Sequence, residues 1–304
     1  MKPLTFRTSL AAAASALLAG SLSVLGPGAS PAAAAGEVRC NARVTGKADG
    51  YIRTRVIEDD VVTSGSRSPS TFTWAPRAWI PTAELGGSTY HEVVNVVPTS
   101  DGRSRVVTVG HDSTQSVMTY FSSTAMERAN GTLVTDWNPR EVAGGSTDHL
   151  YTISPNGTLK QFDIVRKSGV GTTLGPSIEL PITMPSTTTM AGTSAERNGV
   201  TYNILYAINP TAGKLEQIVV RPDRPGEAKK YTVRGIGTGW EYMSVGWCFD
   251  DDGPVQAKNI IVINPTTGIA RSIRQSSAID HSTTFTSPVR VGTDGTWKWT
   301  GISS

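Results

Sequence analysis

Residues 150–159 read LYTISPNGTL, and LYAINPTAGKL from 205 and IIVINPTTGIA from 260 repeat the same pattern. Ile153, Ile208 and Ile263 are 55 residues apart, and Pro155, Pro210 and Pro265 keep the same step. Each β-rich run ends in Ser-Pro or Asn-Pro, reaches a glycine within three residues, and starts a second β-rich run. Proline pre-sets φ and removes a backbone donor, while glycine accepts positive φ where the second strand begins. The unit is therefore a hairpin. Asp49-Gly50, Asp101-Gly102, Asn198-Gly199 and Asp252-Gly253 are tight-turn dipeptides that mark the same unit a second time. Their glycines stand 52, 97 and 54 residues apart, with Gly144-Gly145 in the vacant place of the double step.

Five units of about 50 residues then cover nearly all of the chain from residue 36. That period disfavours leucine-rich, ankyrin and tetratricopeptide arrays and leaves a solenoid or a propeller. Four strands of roughly 5–6 residues with their turns fit one unit. The expected fold is all-β: a five-bladed β-propeller closed into a ring, with a period of about 50–55 residues. Blade centres fall near residues 50, 102, 150, 205 and 260, and a strand within 287–300 helps to close the ring. STAMERAN (123–130) could form one short helical turn.

Residues 1–35 carry Lys2 and Arg7, an apolar run and a small-residue end at Ala35, the pattern of a secretory signal peptide. The expected division is a leader at 1–35 and a single propeller domain at 36–304, secreted and extracellular. No other stretch approaches the roughly 18 apolar residues of a membrane span. Without Lys2 and Arg7 the 28 basic residues fall to 26, against 25 acidic ones, a balance that argues against nucleic acid. Cys40 and Cys248 are the only cysteines, an even count that favours a disulfide in an oxidising compartment and is too small for a structural zinc site. In a closed ring that bond ties the first repeat to the last; an open solenoid would keep them apart.

LYTISPNGTLKQF resembles the blade hairpin of tachylectin-2-like β-propellers, and LYAINPTAGKLEQI is similar to the repeat of quinoprotein-type propellers. The tachylectin-like resemblance implies sugar binding at sites around a five-bladed ring, although the spacing here is longer and the units diverge outside the hairpin.

Candidate chemistry is sparse. His91-Glu92, His111-Asp112, Asp148-His149 and Asp280-His281 place an acid beside every histidine, yet neighbours on a strand point to opposite faces, and polar surface or capping roles account for them. Asp250-Asp251-Asp252-Gly253 has the acidity of a calcium loop without its alternating ligands or distal glutamate, and reads as a solvated turn, with a weak calcium site as the lesser alternative. VGTDGTWKW is one residue short of an Asp-box, and Trp297 and Trp299 read as packing. No nucleophile or phosphate-loop motif is present. The binding candidates are Trp240, Glu241 and Tyr242, an aromatic and carboxylate group after GIGTG, with both aromatics serving the core as the competing reading. The expected function is a non-enzymatic, lectin-like module whose partner is a glycan or cell-surface polysaccharide, without cofactor or metal. The alternatives are a carbohydrate-active hydrolase on the same scaffold and a subunit that binds an extracellular protein.

Overall fold

The computed structural model describes residues 38–86, 90–112, 117–126, 139, 141–146, 148–167, 171–185, 187–250, 253–293 and 295–303. The expected leader at 1–35 lies outside them, as do Asp251, Asp252, Asp294 and residues 127–130. Glu37–Ser304 forms one compact unit.

Strands β1 (Arg39–Ala48), β2 (Tyr51–Glu58) and β3 (Val61–Thr71) form a first antiparallel meander. The second contains β4 (Ile80–Gly86), β5 (Tyr90–Pro98), β6 (Ser104–Asp112) and β7 (Val117–Ala125). The third contains β8 (Glu141–Gly144), β9 (His149–Ile153), β10 (Thr158–Lys167) and β11 (Gly171–Thr183). The fourth contains β12 (Thr189–Arg197), β13 (Val200–Asn209), β14 (Lys214–Val220) and β15 (Lys229–Gly235). The last, β16 (Tyr242–Asp250), β17 (Gly253–Asn264), β18 (Ile269–Gln275) and β19 (Val289–Val291), joins the first in one eight-stranded sheet through β16–β1 pairing. The C-terminal β20 (Thr300–Ser303) also pairs with β1. Among the described residues the only helical element is a 3-10 turn at Pro225–Glu227, so the chain is all-β with antiparallel sheets. Residues 123–125 of the expected helical turn lie in β7.

The hairpin turns fall into one register, and it differs from the one drawn from the sequence. Gly50, Gly102, Gly157, Gly213 and Gly268 all have positive φ and stand 52, 55, 56 and 55 residues apart. They occupy the turns β5–β6, β9–β10, β13–β14 and β17–β18, the second turn of each later meander, and β1–β2, which holds the same place once β20, paired with β1, is counted as the strand before it. Asn198-Gly199 and Asp252-Gly253 instead join β12 to β13 and β16 to β17, one turn earlier in their meanders. Both positions need residues that tolerate the left-handed region, so dipeptide identity alone cannot separate them.

The turn chemistry repeats in two versions. Thr99-Ser-Asp-Gly-Arg103 and Ser154-Pro-Asn-Gly-Thr158 share a hydroxyl bonded to the carbonyl of the fifth residue, at 2.9 and 2.8 Å, and that residue's N–H on the side-chain oxygen of Asp101 or Asn156, at 3.2 Å in both. In the next two units the Asn209 and Asn264 side chains accept from Ala212 N–H and Thr267 N–H at 3.1 and 3.0 Å.

Five buried clusters each join two meanders. Ile52, Trp79, Val97 and Val107 link first to second, and Ile80, Val96, Val142 and Leu150 link second to third. Tyr151 and Leu205 lie in the third–fourth cluster, Ile208 and Ile260 in the fourth–last, and Ile261, Val44 and Trp297 in the last–first. Strands sandwiched on both faces need apolar residues on both, which explains why ILYAI and NIIVI run without alternation. Packing is tight between the first strands of neighbouring meanders: a side chain at Gly192 would overlap the Gly144 carbonyl, and one at Gly246 the Asn41 carbonyl.

Cys40 and Cys248 are bonded, with Cα atoms 4.0 Å apart on the paired ends of β1 and β16. Nearby, Arg274 of β18 reaches Asp59 and Asp60 of the first meander at 3.4 and 3.0 Å. The Arg55 guanidinium lies over Trp297 and Trp299 at 4.9 and 5.0 Å. Both tryptophans are buried there.

Candidate binding cleft

The packing between the first and second meanders opens progressively along the strands. On β2, Ile52 is in the shared core, whereas Thr54 and the half-buried Val56 line a cavity. On β5, Val97 is in the core, whereas Asn95 and Val93 line the cavity. Side chains two apart share a face of a strand, so each step of two residues leads from dry packing outwards. The result is a wedge-shaped cleft of about 500 Å³, within the usual 300–1,000 Å³ of small-ligand sites.

β1 supplies the third wall. Asn41, Arg43 and Thr45 line the cleft; Val44 belongs to the last–first core, and Ala42 belongs to that core and also borders the cleft. Trp79 comes from the residue just before β4 and Pro81 from its start, and Gly246 and Trp247 from β16. Because Gly246 has no side chain, β1 passes close enough for Trp247 to join the wall. The lining is graded: Asn41, Arg43 and Pro81 are exposed, while Thr45, Thr54, Trp79 and Asn95 are buried.

Trp247 is 45% exposed, and among the described residues it is the only large aromatic so exposed. Lys258 stands opposite it in the β16–β17 ladder and puts Nζ 3.7 Å from the ring centroid. Lys258 is itself buried, and desolvation lowers its ammonium to about 8. The negative face of the indole attracts that cation, so the lysine braces the ring from one side. The Thr45 and Thr54 hydroxyls pair at 3.2 Å, which uses one of their two protons. The cleft therefore combines a half-exposed indole, hydroxyls, amides and one guanidinium. None of its described lining residues is Asp or Glu.

The residues singled out in the sequence lie elsewhere. Trp240 is buried in the fourth–last core, donates Nε1 to the Ile236 carbonyl at 3.0 Å, and carries the Arg271 guanidinium over its ring. Glu241 is exposed, and its N–H bonds the Ile263 carbonyl at 3.0 Å. Tyr242 opens β16 and packs on the last–first core. The two aromatics thus serve different cores, and none of the three lines the cleft.

Where their side chains are described, the histidines make their direct contacts with groups other than the adjacent carboxylate, although Asp280 feels the charge of His281. His149 contacts Asp163 across the β9–β10 ladder at 3.6 Å and Ser146 at 3.0 Å, and His281 stacks on Tyr231 with ring centroids 3.7 Å apart. The Asp280 carboxylate accepts from the Ser282 hydroxyl and N–H, which lowers its pKa. His91 and His111 are register partners in β5 and β6; their side chains lie outside the described residues. No group of three or more His, Cys, Asp or Glu that could hold a metal occurs among the described residues. No described helix is long and apolar enough to cross a membrane.

The sequence signals of the cleft are subtle. NARVT alternates polar and apolar residues where ILYAI and NIIVI run nearly unbroken, and VVNVV places one amide in an apolar run. Both reported a polar face inside the fold, but neither named the wall opposite.

No protein-family model matches the chain, and no curated protein does so. Matches among solved structures include the WD40 domain of SCAP from fission yeast, with 10% identity and a TM-score of 0.31. That alignment covers 84% of this chain, which spans 62% of the matched one.

Proposed function

We propose that this is a secreted, non-enzymatic carbohydrate-binding module, lectin-like in mode, that takes its glycan in the cleft between the first and second meanders. The observation that carries the reading is the convergence of Trp247 with Asn41, Arg43, Thr45, Thr54 and Asn95 in one cavity of about 500 Å³. Sugar rings present an apolar face and a rim of hydroxyls; an indole matches the former and amides and hydroxyls match the latter. Each meander is read as one blade of a closed, five-bladed propeller, supported by the cyclic order of the buried clusters and the five turn glycines. Export is supported by the leader-like sequence of residues 1–35 and the Cys40–Cys248 bond.

A hydrolase would need two carboxylates flanking the scissile bond, and the described lining offers none. The test is a glycan array probed with the purified mature protein and with Trp247→Ala. Retention of a defined glycan set by the wild type, lost in the variant, is the expected result. Equal retention by both proteins would remove the cleft from the account, and no retention by either would remove carbohydrate binding.

A further inference from the structure

Asn95 is 1% exposed and sits on β5 where the cleft narrows towards the first–second core. Its Nδ2 donates to the Val93 carbonyl at 3.0 Å and to the Val107 carbonyl at 3.3 Å. Those two bonds fix the amide orientation, because a flipped amide would set its oxygen against two carbonyl oxygens. Oδ1 is then a buried acceptor with no partner among the described residues. Buried polar atoms are almost always satisfied, and Asn95 is a lining residue of the cavity, so the orphan acceptor of its side chain calls for a donor from outside the chain. A donor is also near the same wall: the Thr45–Thr54 hydroxyl pair keeps one proton uncommitted.

Resting on the carbohydrate reading above, the geometry points to Asn95 as the specificity-determining residue of the cleft, its Oδ1 accepting a hydroxyl of the terminal sugar residue of the glycan. Three features of the wedge select a chain end. The inner end is closed by Ile52, Val97 and Val107, so a polymer cannot run through it past Asn95. The exposed end carries Asn41 and Arg43, where the remainder of a chain can leave. Trp247, partly exposed, stands on the wall with a face for a ring already inserted. A ligand lacking the hydroxyl would leave Oδ1 desolvated and unpaired, a much larger penalty than the loss of an exposed hydrogen bond.

The test uses the mature protein, labelled with nitrogen-15, and methyl glycosides of hexoses, 6-deoxyhexoses, pentoses and acetamido sugars as probes of a terminal residue. Their monodeoxy derivatives are titrated in parallel. The expected result is a glycoside that shifts both the Trp247 indole and the Asn95 side-chain amide resonances, with one monodeoxy derivative binding at least tenfold more weakly. Asn95→Leu should bind that glycoside and its weak derivative equally, and because the titration of the wild type stands alone, a misfolded variant would not block the conclusion. If a glycoside shifts Trp247 while the Asn95 amide stays fixed and every deoxy derivative binds alike, Asn95 is satisfied by an ordered water only; the inference fails and the cleft reading stands. If no glycoside moves either resonance, both fail.

Discussion

Trp240 and Trp247 lie seven positions apart on the same stretch of chain, and their environments assign them opposite roles. Trp240 is buried with its N–H satisfied, so Trp240→Ala is expected to cost about 3–5 kcal/mol of stability and to leave glycan retention intact wherever the variant still folds. Trp247 is half exposed, so Trp247→Ala should cost about 1 kcal/mol or less of stability and abolish retention. Denaturant titration beside the array separates the two. Lys258 gives a pH signature. Its ordinary value is 10.5 and burial lowers it to about 8 in the fold, so between those values the unfolded chain holds more protons and stability rises with pH. Lys258→Met should therefore be more stable than wild type at pH 7, by about 1–2 kcal/mol once the indole contact is set against desolvation, and the gap should close towards pH 10. A melting-temperature series at several pH values for both proteins measures this; a gap that widens with pH would contradict it. The sequence did not reveal these roles, because GIGTGWEY looks like a loop rim whereas SVGWC looks like an interior strand. What inverts them is Gly246, which lets β1 approach β16 and brings Trp247 to the cleft.

At the scale of elements, the hairpin was legible because proline and glycine restrict φ directly. The register of the whole meander was not, since Asp-Gly and Asn-Gly serve two different turns. The five turn glycines are not equally sensitive. Gly157 has φ of +90°, and a Cβ there would lie 2.6 Å from the Met184 carbonyl oxygen, whereas Gly102 has φ of +77° with nothing within 4 Å. Gly102→Ala should cost about 1 kcal/mol, the strain of a left-handed alanine, and Gly157→Ala at least about 1 kcal/mol more, because the Met184 N–H bond to the Gly157 carbonyl at 2.9 Å holds that backbone in place. Urea midpoints of the two variants compare them, and equal losses would show that the β11 end yields freely. The cleft was hardly legible at this scale: its walls come from β1, β2, β4, β5, β6 and β16, and only tertiary packing brings NARVT, VVNVV and SVGWC together.

For the whole molecule, the decisive junction is narrow. β1 meets β16 through two register pairs and β20 through two more, and the disulfide spans a sequence separation of 208 residues. Loop entropy allows such a bond at most about 5 kcal/mol, so Cys40→Ser with Cys248→Ser should lower the melting temperature. It should also weaken glycan binding, because β1 and β16 are both cleft walls; unchanged binding in a destabilised variant would show that the walls hold without the bond. The all-β class and the cysteine pair were readable because a repeated turn pattern and an even cysteine count constrain a whole chain, whereas the cleft arises where two repeats fail to pack completely. Hydrogen–deuterium exchange, with and without the glycan retained on the array, tests this most directly. Protection confined to residues 41–45, 54–56, 79–81, 93–95 and 245–247 is the expected result, since these five segments meet only at the cleft. Protection centred on other loops, or absent despite saturating glycan, would contradict it.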